Sequence, residues 1–223
     1  MPDDLLATIE LETRPDPDAA VIWMHGLGAD GNDFVPIVGE LELPEDLGIR
    51  FIFPHAPMRP VTINGGMVMR AWYDIVGSDL TNRGDETGIR DSQRRIEQLI
   101  AREKARGIAA SRLVLAGFSQ GGVIALQAGL RHPERIAGIM ALSTYLALPQ
   151  ALAAEAHPAN SDVPIFMAHG TADPMIRLDW ADASRRALQA QGYAIEWHTY
   201  PMQHSVCIEE VGDLDAWLAR VLA

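Results

Sequence analysis

Residues 113–130 read LVLAGFSQGGVIALQAGL, and this stretch decides the fold. Residues 117–121 match the pattern G-x-S-x-G, with Ser119 at its centre. An apolar run typical of a buried strand precedes the motif, and one typical of a buried helix follows it. A serine at such a strand–turn–helix junction is typical of a nucleophile elbow. The sequence therefore predicts that Ser119 is a nucleophile, and the alternative is a glycine-rich turn whose serine caps a helix.

Short apolar runs and amphipathic stretches alternate outward from this motif. Runs that are apolar on successive residues favour strands covered on both faces, as in a mostly parallel sheet. We expect strands at residues 21–24, 49–53, 112–116, 136–142, 163–168 and 194–200, with an opening edge strand near 6–11. Helices are expected at residues 89–106, 123–130, 178–191 and 208–222. This order predicts an α/β layered fold. Residues 54–88, rich in Gly, Pro and Asn, are expected to form a long loop.

The amino-acid composition limits the kinds of partner and site that this protein can have. Eighteen Lys and Arg against thirty Asp and Glu give a net charge of −12, which disfavours nucleic acid as a partner. The single cysteine, Cys207, excludes an internal disulfide framework and is expected to be a small buried apolar residue. A hydrophobic share of 48% is enough for a sizeable core, so we expect one globular domain over residues 1–223.

The amino-terminal sequence is acidic and lacks the apolar segment of a signal peptide. No stretch approaches the ~18 uninterrupted apolar residues of a membrane span. We therefore expect a cytoplasmic protein without stable membrane insertion.

A nucleophilic serine needs a histidine base, and that base needs a carboxylate to hold it. The histidines that follow Ser119 are His132, His157, His169, His198 and His204. His204 follows the last expected strand and precedes the last helix, at the sheet edge where α/β active sites assemble. It is therefore the predicted base.

Asp173 is the predicted acid because it follows an expected strand directly and so lies at the same sheet edge. Asp162 precedes that strand and belongs at the opposite edge. Asp179 and Asp182 fall in or near a helix, where a solvated first turn explains them.

The glycine-rich stretch HGLGADGND at residues 25–33 follows the strand at 21–24. A backbone N–H from such a loop pairs with the N–H of the residue after the nucleophile to form an oxyanion hole. The predicted donors are Leu27 and Gln120.

Five stretches together resemble the phospholipase/carboxylesterase family, which includes bacterial carboxylesterases and acyl-protein thioesterases. They are HGLGADGNDF at 25–34, AWYDI at 71–75, GFSQGG at 117–122, HGTADP at 169–174 and HSVC at 204–207. The resemblance implies an α/β-hydrolase fold, with a mostly parallel central sheet and helices on both faces. It also implies a Ser119–Asp173–His204 triad that hydrolyses carboxylic esters or thioesters without metal or cofactor.

Two departures from the family pattern stand out. Gln203 occupies a position where many members carry glycine, so a positive φ there would strain the backbone before His204. Residues 64–72 resemble the bacterial esterase branch more than the protein-depalmitoylating one.

Four apolar residues flank the motif loops and are predicted to line an acyl pocket, with plain core packing as the alternative: Met69, Trp72, Met175 and Val206. Ile139, Leu142, Leu146 and Leu148 belong either to the core or to an exposed patch used for homodimer formation.

The favoured function is a serine carboxylesterase acting on small-molecule esters with short to medium acyl chains. The alternative is an acyl-protein thioesterase or lysophospholipase acting on long chains, with the 54–88 loop as its lid. A non-catalytic binding module on the same fold is the remote alternative.

Overall fold

The computed structural model describes residues 5–77 and 85–223. Within these residues, seven strands form the central sheet: β1 (Thr8–Glu12), β2 (Ala19–Met24), β3 (Ile49–Pro54), β6 (Leu113–Phe118), β7 (Gly138–Leu142), β8 (Ile165–Gly170) and β9 (Ile195–Tyr200). Their order across the sheet is β1-β3-β2-β6-β7-β8-β9. Only β1 runs antiparallel, against β3, and the other neighbouring pairs are parallel.

The described part of the chain contains five α-helices that connect or flank the strands: α1 (Glu86–Ala105), α2 (Gln120–Gly129), α3 (Pro149–Glu155), α4 (Leu178–Ala190) and α5 (Ile208–Val221). Every residue of α2 is buried, as its all-round apolar sequence indicates. None of the helices in the described ranges is long and apolar enough to cross a bilayer.

Side chains on β2 alternate between two hydrophobic clusters, because successive strand residues point to opposite faces. Ile22 and Met24 pack in one cluster with residues of α1, α2 and α4. Val21 and Trp23 pack in the other with residues of α5. The sheet is therefore covered by helices on both faces, which confirms the predicted fold class.

Residues 54–88 are more regular than predicted. Strands β4 (Met58–Val61) and β5 (Met67–Arg70) form a separate antiparallel pair, and α1 begins at Glu86. Residues 78–84, within the expected loop, lie outside the described residues. The hairpin was missed because its two four-residue strands are mostly exposed and carry no apolar alternation.

Helix α3 was also missed.

Three of the four apolar residues considered for a dimer patch are buried in the core. Ile139 and Leu142 are buried in β7, and Leu146 is buried behind it. The core alternative is thus correct for these three, since strand β7 is covered on both faces.

Candidate active site

Ser119 lies at the sharp turn between β6 and α2. Its backbone adopts φ 56° and ψ −119°, a conformation that L-residues rarely populate. A Cβ at Gly121 would collide with the carbonyl oxygen of Met24, and one at Gly117 would collide with the backbone of Gly121. The glycines of the motif are therefore required sterically. The Ser119 N–H donates to the Leu142 carbonyl oxygen at 2.9 Å, which fixes the turn to β7.

Asp173 and His204 meet at the carboxyl ends of β8 and β9. His204 Nδ1 lies 2.6 Å from Asp173 Oδ2. The other carboxylate oxygen, Oδ1, accepts the N–H groups of Met175 and Ile176 at 2.8 and 2.9 Å. The Asp173 side chain is fully buried while that of His204 is 18% exposed. The carboxylate therefore has a fixed orientation, and the imidazole faces the solvent-accessible side.

Close packing brings the His204 loop against the end of β8. A Cβ at Gly170 would collide with the carbonyl oxygens of Gln203 and Met202. Gln203 is not among the non-glycine residues with positive φ in the described chain. The expected backbone strain before His204 is therefore absent. The centroid of the His204 ring lies 4.7 Å from that of the Phe118 ring, and the two ring planes are tilted by 44°.

The other histidines that follow Ser119 lie where they support the fold rather than the predicted catalytic triad. His169 is buried, and its Nε2 lies 2.8 Å from the Ile176 carbonyl oxygen. Burial lowers the pKa of His169 and of His132, which favours neutral rings. His157 accepts the Ala159 N–H in a short turn, and His198 contacts Asp213 on α5 at 3.3 Å.

The rival carboxylates are paired elsewhere. Asp162 pairs with Arg135 at the amino end of β8. Asp179 pairs with Arg177, and Asp182 with two arginines of α4.

The glycine-rich loop after β2 is held by hydrogen bonds from several elements. The Gly28 N–H donates to the Arg70 carbonyl oxygen at 2.9 Å, and Gly28 has φ 79°. The Trp72 indole N–H donates to the His25 carbonyl oxygen at 2.8 Å. These bonds place Leu27 beside Ser119 in one cavity. Gln120, the first residue of α2, has an N–H without an intrahelical acceptor.

His25 supports the loop as a neutral ring. Its Nε2 accepts the Ala56 N–H at 3.1 Å, so the ring proton lies on Nδ1, 2.7 Å from the Gly26 carbonyl oxygen. Burial lowers the His25 pKa to about 4.

The side chain of Gln120 joins the nucleophile turn to the segment after β5. Its Oε1 accepts the Trp72 N–H at 3.0 Å, and its Nε2 donates to the Tyr73 carbonyl oxygen at 2.9 Å. The Ser92 hydroxyl donates to the Trp72 carbonyl oxygen. Sequence reasoning considered only the Gln120 backbone and missed this link.

A cavity of about 470 Å³, here named the Ser119 cavity, opens beside the nucleophile. Its wall includes Ser119 and His204 together with mostly apolar side chains. Apolar or aromatic side chains in the wall are Leu27, Ala29, Ile63, Met69, Tyr73, Ile75, Phe118, Tyr145, Met175 and Ile176. The motif AWYDI at residues 71–75 was the available signal for Tyr73 and Ile75.

Two of the four predicted pocket residues, Met69 and Met175, line the Ser119 cavity. Trp72 and Val206 are not in its wall. Trp72 is fully buried and supports the loop of His25 instead. Val206 packs against the cluster on the α5 face of the sheet. Neither side chain therefore lines the Ser119 cavity, because Trp72 is fully buried and Val206 packs, partly buried, against another cluster.

Asp33 is the one Asp, Glu, Lys or Arg among the described residues that line the Ser119 cavity. Partial burial raises the pKa of its carboxyl, and Asp30 adds to the rise. The motif at residues 25–33 indicated where Asp33 lies. It did not indicate that Asp33 lines the cavity without another Asp, Glu, Lys or Arg among the described residues. Within residues 5–77 and 85–223, no three His, Cys, Asp or Glu side chains are grouped to hold a metal ion.

Comparisons with known proteins agree with this geometry. A family model described as Phospholipase/Carboxylesterase matches residues 7–222. Acyl-protein thioesterase 1 of Neurospora crassa is 42% identical over 214 residues, which cover 92% of this chain and 87% of the relative.

Two solved structures have the same fold. Arabidopsis thaliana SOBER1 superposes with a TM-score of 0.87 at 28% identity, covering 92% of this chain and 99% of that one. Zea mays acyl-protein thioesterase 2 gives 0.85 at 26% identity, covering 97% and 99%.

Proposed function

The chain belongs to the phospholipase/carboxylesterase family of hydrolases, and from that premise we propose that it is a serine hydrolase that releases medium to long acyl groups from thioesters and carboxylic esters. One observation carries the catalytic part of the proposal. His204 contacts Asp173 at 2.6 Å and lines the same cavity as Ser119.

The proposed reaction begins with proton transfer from Ser119 to His204. Because Nδ1 of His204 donates to Asp173, its Nε2 is the nitrogen that accepts this proton. The Ser119 oxygen attacks the acyl carbonyl carbon, and the N–H groups of Leu27 and Gln120 stabilise the oxyanion.

Collapse of this intermediate expels the thiol or alcohol, which takes the proton from His204. The acyl group then remains on Ser119 as an ester. Water, deprotonated by His204, attacks the acyl-enzyme, and the carboxylic acid leaves as Ser119 regains its proton.

Two structural observations support a preference for longer acyl chains, and the names of two similar proteins support thioesters. The Ser119 cavity has mostly apolar walls, which favours binding of hydrocarbon over polar acyl groups. Beside it, the β4–β5 hairpin exposes Met58, Met67 and Val68, each more than half exposed. A thioesterase also agrees with the names of the relatives in Neurospora crassa and Zea mays.

A carboxylesterase for short to medium acyl esters is the second candidate. The charge of −12 supports it, because a strongly acidic protein is repelled by anionic membrane surfaces where long-chain lipids reside.

The test is a matched series of oxygen esters and thioesters with acyl chains from acetyl to palmitoyl. We expect kcat/KM to rise with chain length and to be higher for the thioester at each length. A maximum at acetyl or butyryl without thioester preference would replace the proposal with the second candidate. Ser119→Ala supplies the background rate, and turnover equal to that background in the unmodified protein would leave a non-catalytic binding module.

A further inference from the structure

Residues 70–73 contact both of the loops that carry the proposed oxyanion donors, and they are here named the bridging segment. The carbonyl oxygen of its first residue accepts the Gly28 N–H at 2.9 Å. Its Trp72 indole N–H donates to the His25 carbonyl oxygen at 2.8 Å. Leu27 lies between these two attachment points in the chain. The direction of the Leu27 N–H is therefore set by the bridging segment.

The side chain of Gln120 also binds the bridging segment. Its Oε1 accepts the Trp72 N–H at 3.0 Å, and its Nε2 donates to the Tyr73 carbonyl oxygen at 2.9 Å. Gln120 is 2% exposed, and the two residues that it binds are fully buried. Because these bonds are buried, breaking them would leave backbone groups unsatisfied, which is costly. The two bonds therefore hold the start of α2 firmly against the bridging segment.

The bridging segment is itself fixed to two further parts of the chain. The Ser92 hydroxyl of α1 donates to the Trp72 carbonyl oxygen, and the Ala71 N–H donates to the Pro57 carbonyl oxygen at 3.0 Å. Ser92 and Ala71 are both fully buried. The bridging segment is therefore a fixed reference for the groups that bind it, rather than a flexible connection.

The two proposed donors belong to loops that are distant in the chain, yet both must point at one oxygen atom. Donors of an oxyanion hole act at about 2.7–3.1 Å from the position that the oxyanion will occupy, so small displacements matter. We propose that the Gln120 side chain is a positioning group for the oxyanion hole, which sets the separation of the Gln120 and Leu27 N–H groups by attaching both to the bridging segment. The proposal rests on the function given above, in which these two N–H groups stabilise the oxyanion.

A glutamine side chain suits this role because the bridging segment presents an N–H at Trp72 and a carbonyl oxygen at Tyr73. An amide carries an acceptor and a donor on one planar group, whereas a carboxylate only accepts and a thioether is a weak acceptor. Methionine is unbranched and flexible like glutamine, but it cannot replace these two bonds. Gln120→Met therefore removes the positioning contacts and retains the backbone N–H.

The first test compares Gln120→Met with Gln127→Met. Gln127 lies on the same helix, is 1% exposed and donates to Gln93 at 2.9 Å, so both variants lose a buried glutamine amide. We expect Gln120→Met to lower kcat about 10- to 100-fold with KM changed by less than about twofold, because misplaced donors weaken transition-state stabilisation rather than acyl binding. Gln127→Met should leave kcat unchanged. A Gln120→Met variant with full kcat, or with a loss confined to KM, would overturn the proposal.

An alkyl trifluoromethyl ketone tests the oxyanion hole directly. The Ser119 oxygen adds to the ketone carbon, its proton passes to His204, and the ketone oxygen becomes an oxyanion that faces the same donors. The inhibition constant should rise in Gln120→Met by about the factor by which kcat falls. The matching methyl ketone, which binds without this addition, should bind both proteins equally. An unchanged inhibition constant beside a reduced kcat would place the loss outside the oxyanion hole and overturn the proposal.

A double-mutant cycle with Trp72→Phe tests whether the bridging segment transmits the effect. Residues that act through shared contacts have non-additive effects. Trp72→Phe should therefore lower kcat less in Gln120→Met than in the unmodified protein, and fully multiplicative losses would overturn the proposal. Should Gln120→Met not fold, Ser92→Ala removes the hydroxyl that holds the Trp72 carbonyl and should lower kcat several-fold with KM unchanged. An unchanged kcat in Ser92→Ala would then overturn the proposal equally.

Failure of the proposed function would give a different result. Turnover in the unmodified protein no higher than in Ser119→Ala would reject the serine-hydrolase function, and the positioning role with it. Turnover that requires Ser119 but stays complete in Gln120→Met would reject the positioning role alone.

Discussion

Two cavities lie at opposite ends of the central sheet. The larger, of about 710 Å³, is here named the amino-end cavity because the first residues of β8 and β9 line it. Its arginines are both paired, Arg135 with Asp162 and Arg220 with Glu196. The Ser119 cavity, of about 470 Å³, holds a strained serine and the carboxylate of Asp33, which has no partner among the described residues.

This difference shows that the volume of a cavity does not by itself distinguish a functional site from an ordinary surface depression. At the amino-end cavity, the arginines of the wall are paired with carboxylates of the same wall. At the Ser119 cavity, by contrast, reactive and charged groups such as Ser119 and Asp33 are not all paired with other described residues. Each prediction below therefore pairs a change in or behind the wall of the Ser119 cavity with the same kind of change at the amino-end cavity.

The largest expected difference is between two serines. Ser119→Ala should lower kcat by about 10⁴ or more, because removal of the nucleophile leaves only binding and the oxyanion donors. Ser111, which lines the amino-end cavity, provides the control. Ser111→Ala should keep full activity in the thioester assay, and a comparable loss in both variants would contradict the assignment of Ser119.

The second-largest expected difference is between two aspartates, Asp173 and Asp162. Asp173→Asn should reduce kcat by about 10⁴, since the amide no longer favours the His204 tautomer that accepts the serine proton. Asp162→Asn breaks an exposed ion pair with Arg135 and should leave kcat and the melting temperature nearly unchanged. Steady-state kinetics at neutral pH measure both, and an active Asp173→Asn variant would point to another acid.

A pair of tryptophans should separate activity from stability. Trp72→Phe removes the donor to the His25 carbonyl oxygen, which displaces the loop of Leu27 and should lower kcat about tenfold. Trp217→Phe, in the amino-end cavity, leaves a gap over Gly138 and should cost on the order of 1–2 kcal/mol of stability without changing kcat. Equal kcat values for Trp72→Phe and the unmodified protein would show that the loop does not need this bond.

The smallest effect concerns substrate charge. Asp33→Asn should raise kcat/KM about two- to fivefold for a thioester with the polyanionic coenzyme A as leaving group, and leave a neutral thioester unaffected. The gain should shrink in high salt because exposed charges are screened. Glu196→Gln, a paired carboxylate in the amino-end cavity, is the control. A gain of equal size in Glu196→Gln would assign the effect to net charge alone.

The fold was largely predictable from the sequence because its decisive signals are local. Predicted β3 at 49–53 and helix 178–191 differ from the observed Ile49–Pro54 and Leu178–Ala190 by one residue each. Strands covered on both faces have a continuous apolar sequence, which is easily recognised. The β4–β5 hairpin is exposed and mixed in composition, so its pairing depends on backbone hydrogen bonds that leave no such pattern.

The sequence by itself determined the turn at Ser119, since only glycine fits at residues 117 and 121 of so sharp a bend. It also indicated that Asp173 and His204 follow strands, and parallel strands bring their carboxyl ends to one edge. Tertiary structure decided that Trp72 supports a loop rather than lining the cavity. It also decided that Asp33 is unpaired within the described chain and that the Gln120 side chain binds residues 72 and 73. Burial and pairing depend on which distant segments pack against a side chain, and local sequence does not specify those neighbours.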